Sequence, residues 1–124
     1  MKKLIENDDD VRLLVRSFYD KVFQDEMLSP FFAHAAKNNW EGHLKTIDSF
    51  WSNIIFYTGG YVGNPMEVHK KMHQFKPLNK ESFERWLSLF NETVDELFEG
   101  DKAALAKQRA YSIATVMQMK ILSA

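Results

Sequence analysis

The feature that most constrains the fold of this chain is the recurrence of apolar residues every three or four positions, in long blocks. Apolar residues at this spacing line one face of an α-helix. Residues that break helices are few, since the 124 residues include five Gly and three Pro. No stretch of the sequence alternates cleanly, as a half-buried strand would. The pattern predicts an all-α fold, with residues 1–124 forming a single domain.

Helix start and stop signals divide the sequence into four long helices and one short one. The first is expected after Asn7, with the acidic run at 8–10 suiting the positive end of a helix dipole, and it should stop before Pro30. The other long helices are expected at about 40–57, 80–99 and 102–122, with Gly100 as a stop and Asp101 as a cap. Asn64 before Pro65 predicts the start of a short helix that runs to about residue 72.

The first three long helices carry apolar stripes that are expected to face the core. The stripes are Val11, Leu14, Val15, Phe18 and Val22; Trp40, Leu44, Ile47, Trp51 and Ile54; and Phe83, Trp86, Leu87, Phe90, Val94, Leu97 and Phe98. The apolar positions of the last helix include Leu105, Ile113, Val116, Met117 and Met119 or the neighbours of Lys120.

Composition excludes several classes of function. The chain has no Cys, which excludes a disulfide scaffold, a thiolate nucleophile, an iron–sulfur cluster and a cysteine zinc site. The formal net charge of -1 gives no electrostatic footprint for nucleic acid or an anionic membrane. The basic pair at the N-terminus precedes acidic residues and not an apolar run, unlike a signal peptide, and no apolar stretch is long enough to span a bilayer. We expect a cytoplasmic protein.

Three polar side chains lie on or beside the apolar stripes: Tyr19, His43 and Trp86. One interpretation is that each polar tip reaches a backbone carbonyl or a water molecule. The other is that all three converge on one pocket as hydrogen-bond donors. The spacing of the residues is compatible with both.

His69 and His73 are four residues apart and would share a face of a continuous helix. Such a pair can hold zinc or copper, but no carboxylate or Cys completes a recognised ligand set. A single imidazole can instead be the axial ligand of a haem iron. His69 is the better candidate, because the Asn64–Pro65 cap fixes the helix that carries it, while His73 fits a solvated surface position.

Several segments, taken in order, resemble a truncated haemoglobin of the third group. They are FYDKV at 18–22, LSPFF at 28–32, WEGH at 40–43, FW at 50–51, YVGNP at 61–65 followed by His69, FERWL at 83–87 with LF at 89–90, and RA at 109–110 with IA at 113–114. The resemblance extends from about residue 11 to residue 119, and the order and spacing of the segments carry it.

The resemblance implies a shortened, two-over-two globin sandwich that binds one haem b. It makes His69 the proximal ligand of the iron, with His73 as the alternative. It assigns Tyr19, His43 and Trp86 to the distal side, where a gas ligand would accept hydrogen bonds from them.

The resemblance also implies a set of haem contacts. Phe31 or Phe32 should lie against the porphyrin, and Tyr61 and Arg85 are candidates for the haem propionates. The full set of expected cofactor-binding residues is Phe31, Phe32, Leu44, Ile47, Trp51, Tyr61, Val68, Met72, Phe83, Arg85 and Phe90.

The function implied is reversible binding of oxygen, and of nitric oxide or carbon monoxide, at an open distal iron site. Roles in oxygen transport, nitric oxide detoxification, peroxide chemistry or oxygen-linked redox reactions are all compatible with the family. Catalytic turnover would need an external reductase, since the chain carries no reductase domain. The rival hypotheses are a haem-free helical interaction module and a two-histidine metal enzyme.

Overall fold

The structure, a computed structural model, describes residues 2–30, 32, 39–56 and 80–122. These residues contain four long α-helices: α1 (Asp8–Gln24), α2 (Trp40–Phe56), α3 (Lys80–Leu97) and α4 (Asp101–Leu122). The all-α prediction is confirmed, and the predicted helix starts agree with the structure to within a residue or two. Among the described residues the only β-type pairing is an isolated parallel bridge between Lys3 and Phe98.

The four helices pack as two pairs. Helix α1 packs on α2 and α3 packs on α4, while the pairs meet where α1 contacts α3 and α2 contacts α4. The core lies between the pairs, and its largest fully buried side chains include Phe18, Phe90 and Phe98. None of the helices in the described part of the chain is long and apolar enough to cross a membrane.

Helix α1 begins where the sequence predicts and ends earlier than Pro30 alone requires. The Asn7 side chain accepts a hydrogen bond from the Asp10 N–H at 3.0 Å, which caps the helix. The helix ends at Gln24, because Asp25 leaves the helical conformation and its carboxylate accepts the N–H groups of Met27 and Leu28. This turn leads the chain toward Phe32.

Helix α2 begins directly after Asn39, which has a φ of 54°. The Asn39 carbonyl accepts the His43 N–H at 3.1 Å, and its side-chain oxygen accepts the Gly42 N–H at 3.3 Å. A Cβ on residue 42 would collide with the Asn39 amide, so glycine allows the cap to lie close to the first turn. The cap fixes the position of Trp40, the first residue of the helix.

The apolar positions of α4 that the sequence singles out are only partly buried. Val116 and Met119 are 45% and 66% exposed, so they do not belong to the core. Met117 is buried, while Leu105 and Ile113 are half-buried. Among the α4 side chains that the structure describes, at 101–119, the buried ones are mostly small, which lets α3 approach closely: Ala103, Ala106, Ala110, Ala114 and Met117. Asp101 is the first helical residue, so it follows the cap position.

Candidate functional site

Tyr19 and Trp86, which the resemblance assigns to the distal side, both pack against one buried phenylalanine. The ring centroid of Phe18 is 4.9 Å from that of Tyr19 on α1 and 5.6 Å from that of Trp86 on α3, and both contacts are edge to face. Tyr19 is 8% exposed. The pairing of α1 with α3 therefore brings the two residues together from positions 67 apart in sequence.

The Tyr19 phenol is held in its protonated form. Burial raises its pKa well above the usual range, and the nearby Trp86 indole N–H, which favours the phenolate, opposes this only in part. A protonated phenol has an O–H to donate. Tyr19 is therefore a hydrogen-bond donor over the whole physiological pH range.

The Trp86 indole N–H is a buried donor without an acceptor. Its Nε1 atom is shielded from solvent and makes no well-aligned hydrogen bond to any residue that the structure describes. The Tyr19 oxygen is near enough to feel the indole dipole, but the contact lacks the geometry of a full hydrogen bond. An unmet buried donor of this kind costs about 1–3 kcal/mol, so its presence indicates a place for an acceptor.

His43 reaches the same region through Trp40. The two side chains are one turn apart on α2, with ring centroids 6.4 Å apart, and Trp40 in turn lies edge-on to Tyr19 at 5.3 Å. We call Tyr19, His43 and Trp86 the distal group. Trp40 was not among the site residues predicted from sequence, although its place one turn before His43 in the same stripe was the available signal.

Several residues predicted to contact a cofactor form the apolar surroundings of the distal group. Phe32 is 7% exposed and lies edge-on to Tyr19 at 5.7 Å. Phe90 stacks between two indoles, with centroids 4.7 Å from Trp51 and 5.8 Å from Trp86. Leu44 and Phe83 are also buried, and Ile47 is half-buried against the same core.

Arg85 is engaged at the surface. Its Nε donates to an Asp25 carboxylate oxygen at 2.7 Å, and the arginine side chain is 45% exposed. The pair ties α3, one residue before Trp86, to the turn that ends α1. Binding of a haem propionate by Arg85 stays a prediction.

The predicted proximal side falls outside the described residues. The expected site residues that lie outside the described part of the chain are Phe31, Tyr61, Val68, His69, Met72 and His73. Within 2–30, 32, 39–56 and 80–122, no group of three His, Asp or Glu side chains is placed to hold a metal ion.

The chemistry of the distal group is that of a donor site in an apolar setting. Tyr19 and Trp86 offer an O–H and an N–H, and the surrounding side chains are mostly rings. Hydrogen bonds are strong in such surroundings, because the local dielectric is low. The group therefore suits a small ligand that accepts hydrogen bonds.

Two helix pairs around a buried aromatic core with inward donors agree with the shortened, two-over-two globin sandwich that the resemblance implies. Residues 3–122 match the family model of bacterial-like globins, and the chain belongs to that family. It is 31% identical over 115 residues to the group 3 truncated hemoglobin ctb of Campylobacter jejuni subsp. jejuni, covering 90% of this chain and 88% of that protein. The crystal structure of the group III truncated hemoglobin from Campylobacter jejuni superposes with a TM-score of 0.84 at 31% identity, covering 98% of this chain and 95% of that one.

These matches confirm the resemblance and the fold inferred from the sequence. Membership in a globin family also implies that the protein binds haem. The unmet Trp86 N–H and the ring-lined surroundings of Tyr19 fit a pocket completed by a flat, largely apolar cofactor with its ligand.

Proposed function

We propose that the protein binds haem b, with His69 as the proximal iron ligand, and that it reversibly binds oxygen and other diatomic gases beside the distal group. When bound, the haem supplies an iron atom with one open coordination position for the gas. The observation that carries the proposal is the buried Trp86 N–H without an acceptor, close to a Tyr19 phenol that stays protonated.

The role of the distal group is to donate hydrogen bonds to the ligand. Tyr19 O–H and Trp86 N–H come from different helices, so a ligand between them would be held from two sides. Each bond would be worth about 1–2 kcal/mol in this apolar setting, and about 1.4 kcal/mol slows dissociation tenfold. His43 is half-buried at the margin of the group, where it can donate a further bond or block the entry of the ligand.

Apolar side chains on three parts of the chain would hold the cofactor. Phe32 follows the turn after α1, Leu44 and Ile47 lie on α2, and Phe83 and Phe90 lie on α3. Their burial around the distal group excludes water, which favours retention of the gas and slows oxidation of the iron.

The physiological reaction depends on whether electrons reach the gas-binding site. Gas binding alone gives an oxygen carrier or store. With electrons from an external reductase, the same site would support the removal of nitric oxide by oxygen or other oxygen-linked redox chemistry. We propose oxygen and nitric oxide as the ligands to test first, in a cytoplasmic setting.

The test of haem binding is the visible spectrum of the protein expressed with haem, oxidised and reduced, with and without carbon monoxide. We expect a Soret band that shifts when carbon monoxide binds. His69→Ala should abolish or greatly weaken haem retention, while His73→Ala should leave it unchanged. Loss of haem in the second variant only would move the proximal role to His73. A chain that folds and takes up no haem would overturn the proposal and leave the helical interaction module.

A further inference from the structure

The Tyr19 ring is held by three aromatic contacts from three different parts of the chain. Phe18 is its neighbour on α1, at 4.9 Å, and Phe32 lies beyond the turn that ends α1, at 5.7 Å. Trp40, the first residue of α2, lies at 5.3 Å. The three interplanar angles are 63°, 69° and 76°, so each neighbour meets the phenol edge to face.

Such contacts determine where the phenol hydroxyl points. The O–H bond lies close to the ring plane, so the direction of donation changes when the ring rotates about its side-chain bonds. Each edge-to-face neighbour opposes this rotation, because tilting the ring replaces a favourable geometry with a clash or a gap. Phe18 lies on the same helix as Tyr19, so it moves together with Tyr19. Phe32 and Trp40 lie outside α1 and therefore restrain the Tyr19 ring relative to the rest of the protein.

Trp40 is held by contacts on both α1 and α2. Its own ring packs edge-on against Phe23 at 5.1 Å, and its backbone begins a helix that Asn39 caps. It also contacts His43, one turn further along α2. Trp40 therefore contacts two members of the distal group, while its position is set by groups outside it.

We propose that Trp40 is a positioning residue, which fixes the direction of the Tyr19 hydroxyl toward the gas ligand and links it to the position of His43. The inference rests on the proposed function, since the orientation of the phenol matters to a ligand only if one binds there. Nothing in this role requires Trp40 to contact the ligand. Its effect passes through Tyr19.

The test compares Trp40→Leu with Trp40→Phe. The leucine removes the ring edge and keeps an apolar side chain, while the phenylalanine keeps a ring that can meet Tyr19 edge-on. Phe98→Leu is the control for lost packing, because Phe98 is 2% exposed and lies in the core outside the distal group. If Trp40→Leu fails to fold, Trp40→Met takes its place.

The first readout is the C–O stretching band of the carbon monoxide complex, which reports the direction of nearby donors. We expect one narrow band in the parent and in Phe98→Leu, and a broadened or split band in Trp40→Leu. Trp40→Phe should restore the single band. Oxygen release should be about two- to tenfold faster in Trp40→Leu, the range expected for the loss of one edge-to-face pair. Trp40→Leu should add no further acceleration to Tyr19→Phe.

The second readout needs no haem and follows the near-ultraviolet circular dichroism of the Tyr19 ring, isolated in each background by subtracting the spectrum of the matching Tyr19→Phe variant. The Tyr19 signal should weaken in Trp40→Leu, where the ring is less restrained, and should stay the same in Phe98→Leu. If Tyr19→Phe speeds oxygen release while Trp40→Leu matches Phe98→Leu in both readouts, the positioning role is wrong and the gas-binding function stands. If Tyr19→Phe itself has no effect on oxygen release, the proposed donor role of Tyr19 is wrong as well as the positioning role of Trp40.

Discussion

Two regions of the molecule bury polar groups in opposite ways. At the amino terminus, the Asp10 carboxylate is only 6% exposed, and it accepts the Glu6 N–H at 2.8 Å and the Lys3 ammonium at 2.8 Å. In the distal group, the Trp86 N–H is buried without an acceptor among the described residues. One region has matched its buried polar group, and the other has left a donor unmatched.

The difference separates stability from function. Matched groups around Asp10 hold the N-terminal segment against the corner between α3 and α4, where the Glu99 N–H also donates to the Lys3 carbonyl. An unmatched donor lowers stability, since burial without a partner costs free energy. Substitutions at Asp10 should therefore change unfolding and leave gas binding alone, while substitutions in the distal group should change gas binding.

Tyr19→Phe should have the largest effect of the substitutions proposed, and the quantity that changes should be the rate of ligand release. The ring and its three aromatic contacts remain, but the donor is lost, so oxygen release should be faster by about thirtyfold, equivalent to about 2 kcal/mol. Laser photolysis or stopped-flow mixing of the haem protein would measure the rate. The thermal unfolding of the two proteins should agree closely. A lower unfolding temperature with unchanged release would mean that Tyr19 belongs to the structural region of this comparison.

Asp10→Asn should have the next largest effect, and the quantity that changes should be the free energy of unfolding. The amide keeps the size of the side chain but loses the charge that pairs with Lys3, so the free energy of unfolding at pH 7 should fall by about 1–2 kcal/mol. Denaturant titration of the haem-loaded protein would measure the change. Gas release should be the same as in the parent, and a large change in release would show that the two regions are coupled.

The effect of Asp10→Asn should depend on pH in one direction. Burial on its own raises the pKa of Asp10, but the hydrogen bond and charge of Lys3 and the Glu6 N–H outweigh it, so the pKa lies below the usual value. A carboxyl with a lowered folded-state pKa contributes stability above its unfolded pKa of about 4, and that contribution is lost as the pH falls through the folded pKa. The difference between parent and variant should therefore be constant from pH 5 to 7 and shrink in stronger acid.

Trp86→Phe sharpens the comparison, because it removes the unmatched donor itself. Ligand release should be about fivefold faster, close to 1 kcal/mol, which is less than for Tyr19→Phe because O–H donors form shorter bonds than N–H donors. Loss of the indole volume destabilises the core, but removal of the orphan N–H offsets part of that cost. We expect the apo protein to lose less stability than in Phe90→Leu, measured by thermal unfolding. Equal losses would indicate that the N–H has a partner.

The pattern of the sequence predicted the four helices and the stripes that face the core in α1 and α3. It also picked out Tyr19 and Trp86, because a polar tip on an apolar stripe stands out. It did not identify the buried face of α4, because most of the buried side chains described there are alanines, which leave no strong apolar pattern. In that helix Ala106 and Ala110 are fully buried, while Met119 is on the surface.

Other features depend on contacts between elements that are distant in sequence. The role of Trp40 rests on the crossing of α1 and α2, which no local pattern encodes. The same holds for Arg85, whose pairing with Asp25 depends on how α3 meets the end of α1. Side chains of this kind can be assigned to a helix face from the sequence, but their partners come only from the packing of the helices.

Lys21→Gln extends the comparison from buried polar groups to an ion pair at the surface, where water can replace a lost partner. Lys21 pairs with Glu96 at 2.9 Å and joins α1 to α3, but the two side chains are 27% and 52% exposed. Exposed pairs contribute little, so the free energy of unfolding should change by less than about 0.5 kcal/mol, and added salt should reduce the difference further. Gas release should be unaffected. A change comparable to that of Asp10→Asn would mean that the spacing of α1 and α3 depends on this pair, and hence that the distal donors are held partly from the surface.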